Sequence, residues 1–588
     1  MPRLRSLTML VAGLLVAAAC TSSATPTPTL APTGGGPTAS VAPTGSAPAP
    51  SASGPVNSGK IGGKLVIDNE SGSTWTCQFN PFNPSVSITS VGFIYEPLEF
   101  VDALQTAADG SNTVTPWLAA SSSWDSSYTQ LTFTLTDGVT WSDGQPFSAQ
   151  DVVYTFQAMK ADPAIDINAL WQADGGPLTG VAAQGTNQVV FTFSGPAQTY
   201  FYYVADQTPI VPQHLWASLD QAKLDQYADT APIGTGPYTM ANCSQDNIQY
   251  MRNASYWQSK PGHPVPQIQE LDYPAFLSNT PANLQLAQGQ AQWGAQYIPN
   301  IQSFYIAGDP VHRHYWFPAT LDVSIYPNLE NPLLNNLAVR QAISLAIDRQ
   351  SVSQRGEDGY EPPANQTGIV LPTYQSWYSK AADTTTFDTA KADATLEAAG
   401  FTKGADGIYA DAKGNRLSFT IKTISGYTDW DSSLQVIQQE LKSAGIEISN
   451  ILDEDIGTYT TELQTGKFQL AYAEQTGGPL PYYELRQMLL GANIGSTDYS
   501  RYKDATTDAL FNSYAAADAA GQVQIIQKIE GVMNDDLPVI PVVEGVDWYQ
   551  YDTTAIGGWP TPDDPYAQPP VWAVPDNGVV LTHLFPTQ

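Results

Sequence analysis

The sequence predicts an α/β fold built from several parts, and three observations carry that reading. From Lys60 onward, period-two strand signals alternate with helical ones of period 3.6. The 588 residues exceed what one core organises, at roughly 100–200 residues per domain. No Pro/Gly/Ser-rich linker cuts the chain after residue 59. The parts are therefore expected to be lobes joined by several chain crossings.

Taken in order, Lys64-Leu-Val-Ile67 reads as the first strand. Leu131, Phe133 and Leu135 alternate with threonines, and Asp137-Gly138 turns the chain. Val139-Thr-Trp141 follows, then a second turn at Ser142-Asp143-Gly144. Ser148-Ala-Gln-Asp151 has capping-box spacing and opens a helix with Val152, Val153, Phe156 and Met159 on one face. Val189, Phe191 and Phe193 make another strand. Val339, Ala342, Ile343 and Ala346 line a helix that ends near Asp348-Arg349. After strand Ser418-Phe-Thr-Ile421, a helix carries Leu434, Ile437, Leu441 and Ala444 on one face. Asp431 or Ser432 is its expected cap and Gly445 its stop. Strands Ile446-Glu-Ile448 and Phe468-Gln-Leu-Ala471 complete the set.

Charge excludes whole classes of partner. With 24 Lys+Arg against 56 Asp+Glu, the net charge is -32, which repels nucleic acid and offers anionic lipid no polybasic grip. Only 14% of residues are charged, below the ~25% usual for soluble domains. Aromatics reach 11%, with 14 Trp and 30 Tyr, so most of the chain is folded.

The N-terminus addresses the chain. Arg3 and Arg5 precede an uncharged run from Leu7 to Ala19, which ends at Cys20. This resembles a bacterial lipoprotein signal peptide (residues 1–19), and implies that Cys20 is acylated and holds the protein on a membrane outside the cytoplasm. Residues 20–59 start with that cysteine and continue almost entirely in Pro, Thr, Ser, Ala and Gly, a tether too poor in apolar surface to fold. The remaining cysteines, Cys77 and Cys243, are an even pair in an oxidising compartment, and a disulfide is expected; two buried free thiols are the alternative.

Catalytic motifs are missing. There is no Gly-x-Ser-x-Gly elbow, and no phosphate-binding Gly-x-x-x-x-Gly-Lys-Ser/Thr, so any ATPase lies on another chain. His312 and His314 share one face of a strand, but no third ligand lies nearby, and no metal or other cofactor is expected. Carboxylates are plentiful enough for a glycosidase pair, which keeps a secreted glycoside hydrolase as an alternative from another class. A structural cell-surface protein on a stalk is a further one.

Several motifs in order resemble the family 5 extracytoplasmic solute-binding proteins of ABC importers, the oligopeptide- and dipeptide-binding type. They are Ile94-Tyr-Glu-Pro-Leu98, Pro116-Trp-Leu-Ala119 and the long stretch Phe133 to Phe156. Pro232-Ile-Gly-Thr-Gly-Pro-Tyr238, Asn253 with Tyr256-Trp257, and Val339 to Arg349 follow. Asp388-Thr-Ala-Lys391 and Ala398-Ala-Gly-Phe401 come last. The resemblance implies a two-lobed periplasmic-binding-protein fold of type II, a hinged clam with an extra subdomain. Lobe I would comprise 60–103, 233–318 and 538–588, the subdomain 104–232, and lobe II 319–537. It also implies no enzymatic activity, a small polar ligand, and partners in an importer permease and its ATPase subunits.

Candidate ligand-binding residues are aromatics in loops after strands, where α/β lobes meet ligands. Trp75 follows the first strand; Tyr427 and Trp430 follow Ser418-Phe-Thr-Ile421. Each is about as well suited to packing as to stacking on a ligand. Trp293 lies where relatives often carry a Gly-x-x-Asp-type strand. The loop Tyr472-Ala-Glu-Gln-Thr-Gly-Gly-Pro-Leu-Pro-Tyr-Tyr-Glu484 replaces an Asp-Tyr-x-Asp-Pro-like segment of peptide-binding relatives. Glu474 would take the place of the aspartate that pairs with a peptide ammonium. Gln475, Tyr482 and Tyr483 suit an oligosaccharide as well, so short peptide and oligosaccharide both stand as ligands.

Overall fold

The computed structural model describes residues 59–587 except 69–72, 84–88, 107–111, 172–175, 259–264, 385 and 476. The signal segment, Cys20 and the tether up to residue 58 lie outside the described residues.

Three sheets organise the described chain. The first has seven strands in the order Arg313–Tyr315, Gln550–Asp552, Trp293–Gly294, Gly62–Asp68, Ile268–Pro274, Asn247–Arg252, Tyr238–Cys243. Gly62–Asp68 runs parallel to Ile268–Pro274 and Trp293–Gly294, and its Leu65 and Ile67 are fully buried. The second has five strands in the order Glu447–Glu454, Ser418–Ile424, Leu470–Glu474, Ala319–Pro327, Ile540–Val546. After Ala319, every residue of Ala319–Pro327 is buried, as is all of Ile540–Val546, so both faces of this sheet are covered. The third is a four-stranded antiparallel sheet, Ala119–Trp124, Gln130–Leu135, Gln188–Phe193, Leu178–Gln184, with helix Ala149–Ala161 packed on it. That helix starts as its sequence predicts: Gln150 N–H donates to the Ser148 hydroxyl and Ser148 N–H to the Asp151 carboxylate. The architecture is the mixed α/β one expected.

Two short crossings join the seven- and five-stranded sheets, at 316–318 and 547–549. They lie side by side: Trp316 N–H donates to Tyr549 O (3.1 Å) and Asp547 N–H to Pro318 O (2.8 Å). Strand Ile540–Val546 pairs with Ala319–Pro327, so the last return to the first sheet falls after residue 546 and not at the expected 538. The hydrophobic, β-branched run from Ile540 to Val543 needs a sheet buried on both faces, which is what draws it there.

Cys77 and Cys243 are joined by a disulfide with Cα atoms 5.7 Å apart. It pins the irregular stretch after Gly62–Asp68 to the end of edge strand Tyr238–Cys243. Among the described residues no helix is long and apolar enough to cross a membrane.

Candidate functional site

Both large sheets bring chain to one seam. Strand Ser418–Ile424 ends in a turn at Gly426, whose φ of +97° suits glycine. Helix Thr428–Ser443 then begins with Tyr427 as N-cap and no side-chain cap, four residues before the earlier of the two expected caps, Asp431. Tertiary contact supports the start of the helix, because the Asn279 side chain donates to the Thr428 hydroxyl (3.3 Å) and Asn279 N–H to Gly426 O (3.4 Å). The early start matters, since it sets Asp429 and Trp430 in the first helical turn. Strand Leu470–Glu474 runs parallel beside Ser418–Ile424 and ends close by at Glu474.

Trp430 is 4% exposed and meets Tyr427 and Tyr472 edge to face, with ring centroids 5.3 Å away in each case. From the seven-stranded side comes Tyr297, which packs on Trp548 (5.3 Å) and Tyr360 (6.3 Å). Burial and the surrounding carboxylates Asp358, Glu357 and Asp429 raise its phenol far above the usual range.

The electrostatics are one-sided. Glu357 and Glu361 are buried and their carboxyls are pushed well up, Glu357 first by burial and then by Asp429, Glu361 first by burial and then by Glu357 and Asp429. Burial pushes Asp429 up to about 7, with Asp431 adding to it. Asp547 is fully buried and pushed up to about 7 by burial, despite hydrogen bonds from the Thr320 hydroxyl (2.8 Å) and the Gln568 amide (3.3 Å). Glu357 Oε2, Glu361 Oε2 and Asp429 Oδ1 accept no hydrogen bond from the described residues. Glu474 differs from these. Its side chain is open to solvent, yet protein surrounds it, and burial followed by the charges of Asp429 and Asp547 pushes it up to about 7. A carboxyl open to solvent beside other acidic groups is within reach of a solute. Such a group can accept hydrogen bonds from a ligand's N–H or O–H groups, or pair with a ligand cation.

The other expected site residues lie elsewhere. Trp75 donates its indole N–H to Tyr273 O (2.8 Å) and lies 4.6 Å from the Tyr273 ring. Trp293 is fully buried, donates to Pro569 O (2.9 Å) and packs on Trp559. Both indoles are thus held by distant backbone, away from Trp430 and Tyr427. Gln475 is buried and donates to Thr497 O (2.8 Å). Tyr482 and Tyr483, on helix Pro481–Leu489, face the four-stranded part: Tyr483 donates to Thr199 O (3.0 Å) and packs on Tyr202 and Tyr203. His312 pairs with Asp309 (2.9 Å), and His314 stacks on Tyr551. Among the described residues no three metal-ligating groups gather. Tyr427 and Trp430 pack on each other, and Glu474 lies near enough to Asp429 to feel its charge. Sequence reading missed Asp429, Glu357, Glu361 and Asp547, of which Asp429, between Tyr427 and Trp430, stood next to a visible signal; Tyr297 closes the candidate segment that starts at Trp293.

Comparison with known proteins adds the following. The family described as bacterial extracellular solute-binding proteins, family 5 Middle, matches residues 113–496. Protein XP55 of Streptomyces lividans is 30% identical over 324 residues, 54% of this chain and 55% of the relative, so the match spans about half of that protein's length. The crystal structure of a periplasmic oligopeptide-binding protein of an oligopeptide ABC transporter from Thermotoga maritima, with mannohexaose bound, has a TM-score of 0.82. It is 25% identical, and the match covers 89% of this chain and 98% of that one. The oligopeptide-binding protein AppA from Bacillus subtilis, in complex with a nonapeptide, superposes with a TM-score of 0.76 at 20% identity, over 90% and 100% of the two chains. That last likeness is one of fold.

Proposed function

The chain belongs to family 5 of the bacterial extracellular solute-binding proteins, and from that premise we propose that it captures a short, oligopeptide-sized polar ligand outside the cell and delivers it to the permease of an ABC importer. It binds cargo and carries out no chemistry; separate ATPase subunits drive uptake. Acylated Cys20 and the tether of residues 20–59 keep it at the membrane. Lobe I, lobe II and the subdomain close around the cargo, which favours the closed state through contacts made only there.

One observation carries this reading. Glu474 is open to solvent and feels the charge of Asp429, the neighbour of Trp430 in a helix turn that packs on Tyr427, where both large sheets contribute chain. In the proposed complex, Trp430 and Tyr427 offer aromatic surface, and Glu474 with Asp429 receives the ammonium of a peptide. The oligosaccharide reading rests on a different observation: the Thermotoga maritima protein binds mannohexaose, and neutral carboxyls beside aromatic rings also suit sugar hydroxyls.

Native mass spectrometry of gently purified protein, followed by calorimetry with defined peptides and with mannohexaose, tests the proposal. Retained or added peptide, bound one to one, is expected. Binding of mannohexaose alone selects the second reading. Turnover of a glycan by the purified protein would overthrow both.

A further inference from the structure

A second cavity, of about 520 Å³, opens between the four-stranded part and the helices Pro481–Leu489 and Ala505–Tyr514. That volume falls in the range of small-molecule sites. Its wall includes Ser194, Thr199, Tyr200, Tyr482, Arg486 and Asn512. Arg486 is 5% exposed, and its guanidinium stands over the rings of Tyr200 (5.7 Å) and Tyr203 (5.6 Å). It donates a long hydrogen bond, 3.5 Å, to the Tyr200 hydroxyl, and Tyr203 is its other hydroxyl neighbour. Asp508 also borders the cavity, but its carboxylate accepts the Gly491 N–H (2.8 Å) and forms no ion pair with Arg486.

A buried guanidinium has five N–H donors in a planar fork and is costly to leave unpaired. Tyrosine faces offset part of that cost, but they leave the in-plane donors unfilled. An apolar side chain of similar length would pack the helix against Tyr200 and Tyr203 equally well. The fork matches a carboxylate, which takes two parallel hydrogen bonds. Tyr482 and Asn512 are polar residues on the same wall.

We infer that this cavity is a second binding site, which takes the carboxylate end of a polar molecule with Arg486 as its anchor. It does not depend on which cargo meets Glu474. Two sources share the chemistry, an acidic saccharide and the free C-terminus of a peptide.

Calorimetry on the full chain separates them. The probes are trigalacturonate with neutral galactotriose, and trialanine with trialanine amide. At least one acid is expected to bind about 10- to 100-fold more tightly than its neutral partner, the worth of a charge-assisted hydrogen-bond pair. Arg486→Met should abolish that preference. Ala516→Trp, which fills the cavity from an exposed position on its wall, should weaken the acid similarly without touching Arg486. Binding of trigalacturonate alone assigns an acidic saccharide; binding of trialanine alone assigns a peptide terminus. The inference is overturned if neither acid binds, if acid and neutral partners bind alike, or if Ala516→Trp leaves acid binding unchanged. An Arg486 that only clamps the helix to the tyrosines would change thermal stability in the Met variant and show no preference for acids.

Discussion

Replacing Asp547 by Asn should make the protein more stable at high pH and leave it nearly unchanged at low pH. The carboxyl of Asp547 is fully buried and pushed from its ordinary 3.8 up to about 7. In the unfolded chain it releases its proton near 3.8; in the folded protein it keeps it until about 7. Between those values the folded state holds more protons, so stability falls as pH rises. The contribution is fully present below about pH 4 and lost as pH passes through about 7. At 1.36 kcal/mol per pKa unit, a rise of about three units makes the loss about 4 kcal/mol by pH 8. Asparagine is the same size, never ionises, and can still accept from the Thr320 hydroxyl. Guanidinium unfolding of parent and variant at pH 4, 6 and 8 reads the difference. The gap should open steadily with pH in favour of the variant. A constant gap, or a variant less stable at pH 8, would refute the argument that burial governs this carboxyl.

Three further expectations are independent of that one. At Gly426 an added Cβ would come within 2.5 Å of Leu277 O and φ is +97°, so Gly426→Ala should hold the two loops apart and weaken ligand several-fold by calorimetry; unchanged affinity would remove this approach from the bound state. Trp430→Leu should cost the cargo about tenfold in affinity, the scale of one aromatic contact; an unaltered Kd would make Trp430 a packing residue only. Cys77→Ser with Cys243→Ser opens a crosslink between residues 166 apart in sequence and should cost at most roughly 5 kcal/mol in guanidinium unfolding; labelling of either cysteine in the native, unreduced protein would contradict the bond.

Much of the fold was legible because its signals are local. The Ser148–Asp151 capping box, the alternation at Leu131, Phe133 and Leu135, and the apolar face from Val339 to Ala346 each state their structure within a few residues. Misreadings arose where distant chain decides. Helix Thr428–Ser443 starts early because Asn279, about 150 positions away, supports its first turn. Trp293–Gly294 is a two-residue strand that exists only through its neighbours Gly62–Asp68 and Gln550–Asp552. At the site, Tyr427, Trp430 and Glu474 were visible as polar or aromatic residues after strands. Glu357, Glu361 and Asp547 were not, because a carboxylate destined for burial looks in sequence like any surface one. Trp75 and Trp293 show the converse: large aromatics in loops whose rings and N–H groups distant backbone had already claimed.

The paired crossings at 316–318 and 547–549 set the mechanics of the molecule. Two antiparallel chains joined by backbone hydrogen bonds make a ribbon that flexes across its flat face and resists sliding in its plane, since sliding breaks the bonds between Trp316 and Tyr549 and between Asp547 and Pro318. A swing of one sheet against the other is thereby steered toward a single axle. Asp547 and Trp548 lie on that axle, the first holding a proton near neutral pH and the second packed against Tyr297 at the seam. A titratable carboxyl and an aromatic contact of the seam thus sit on adjacent residues of one crossing.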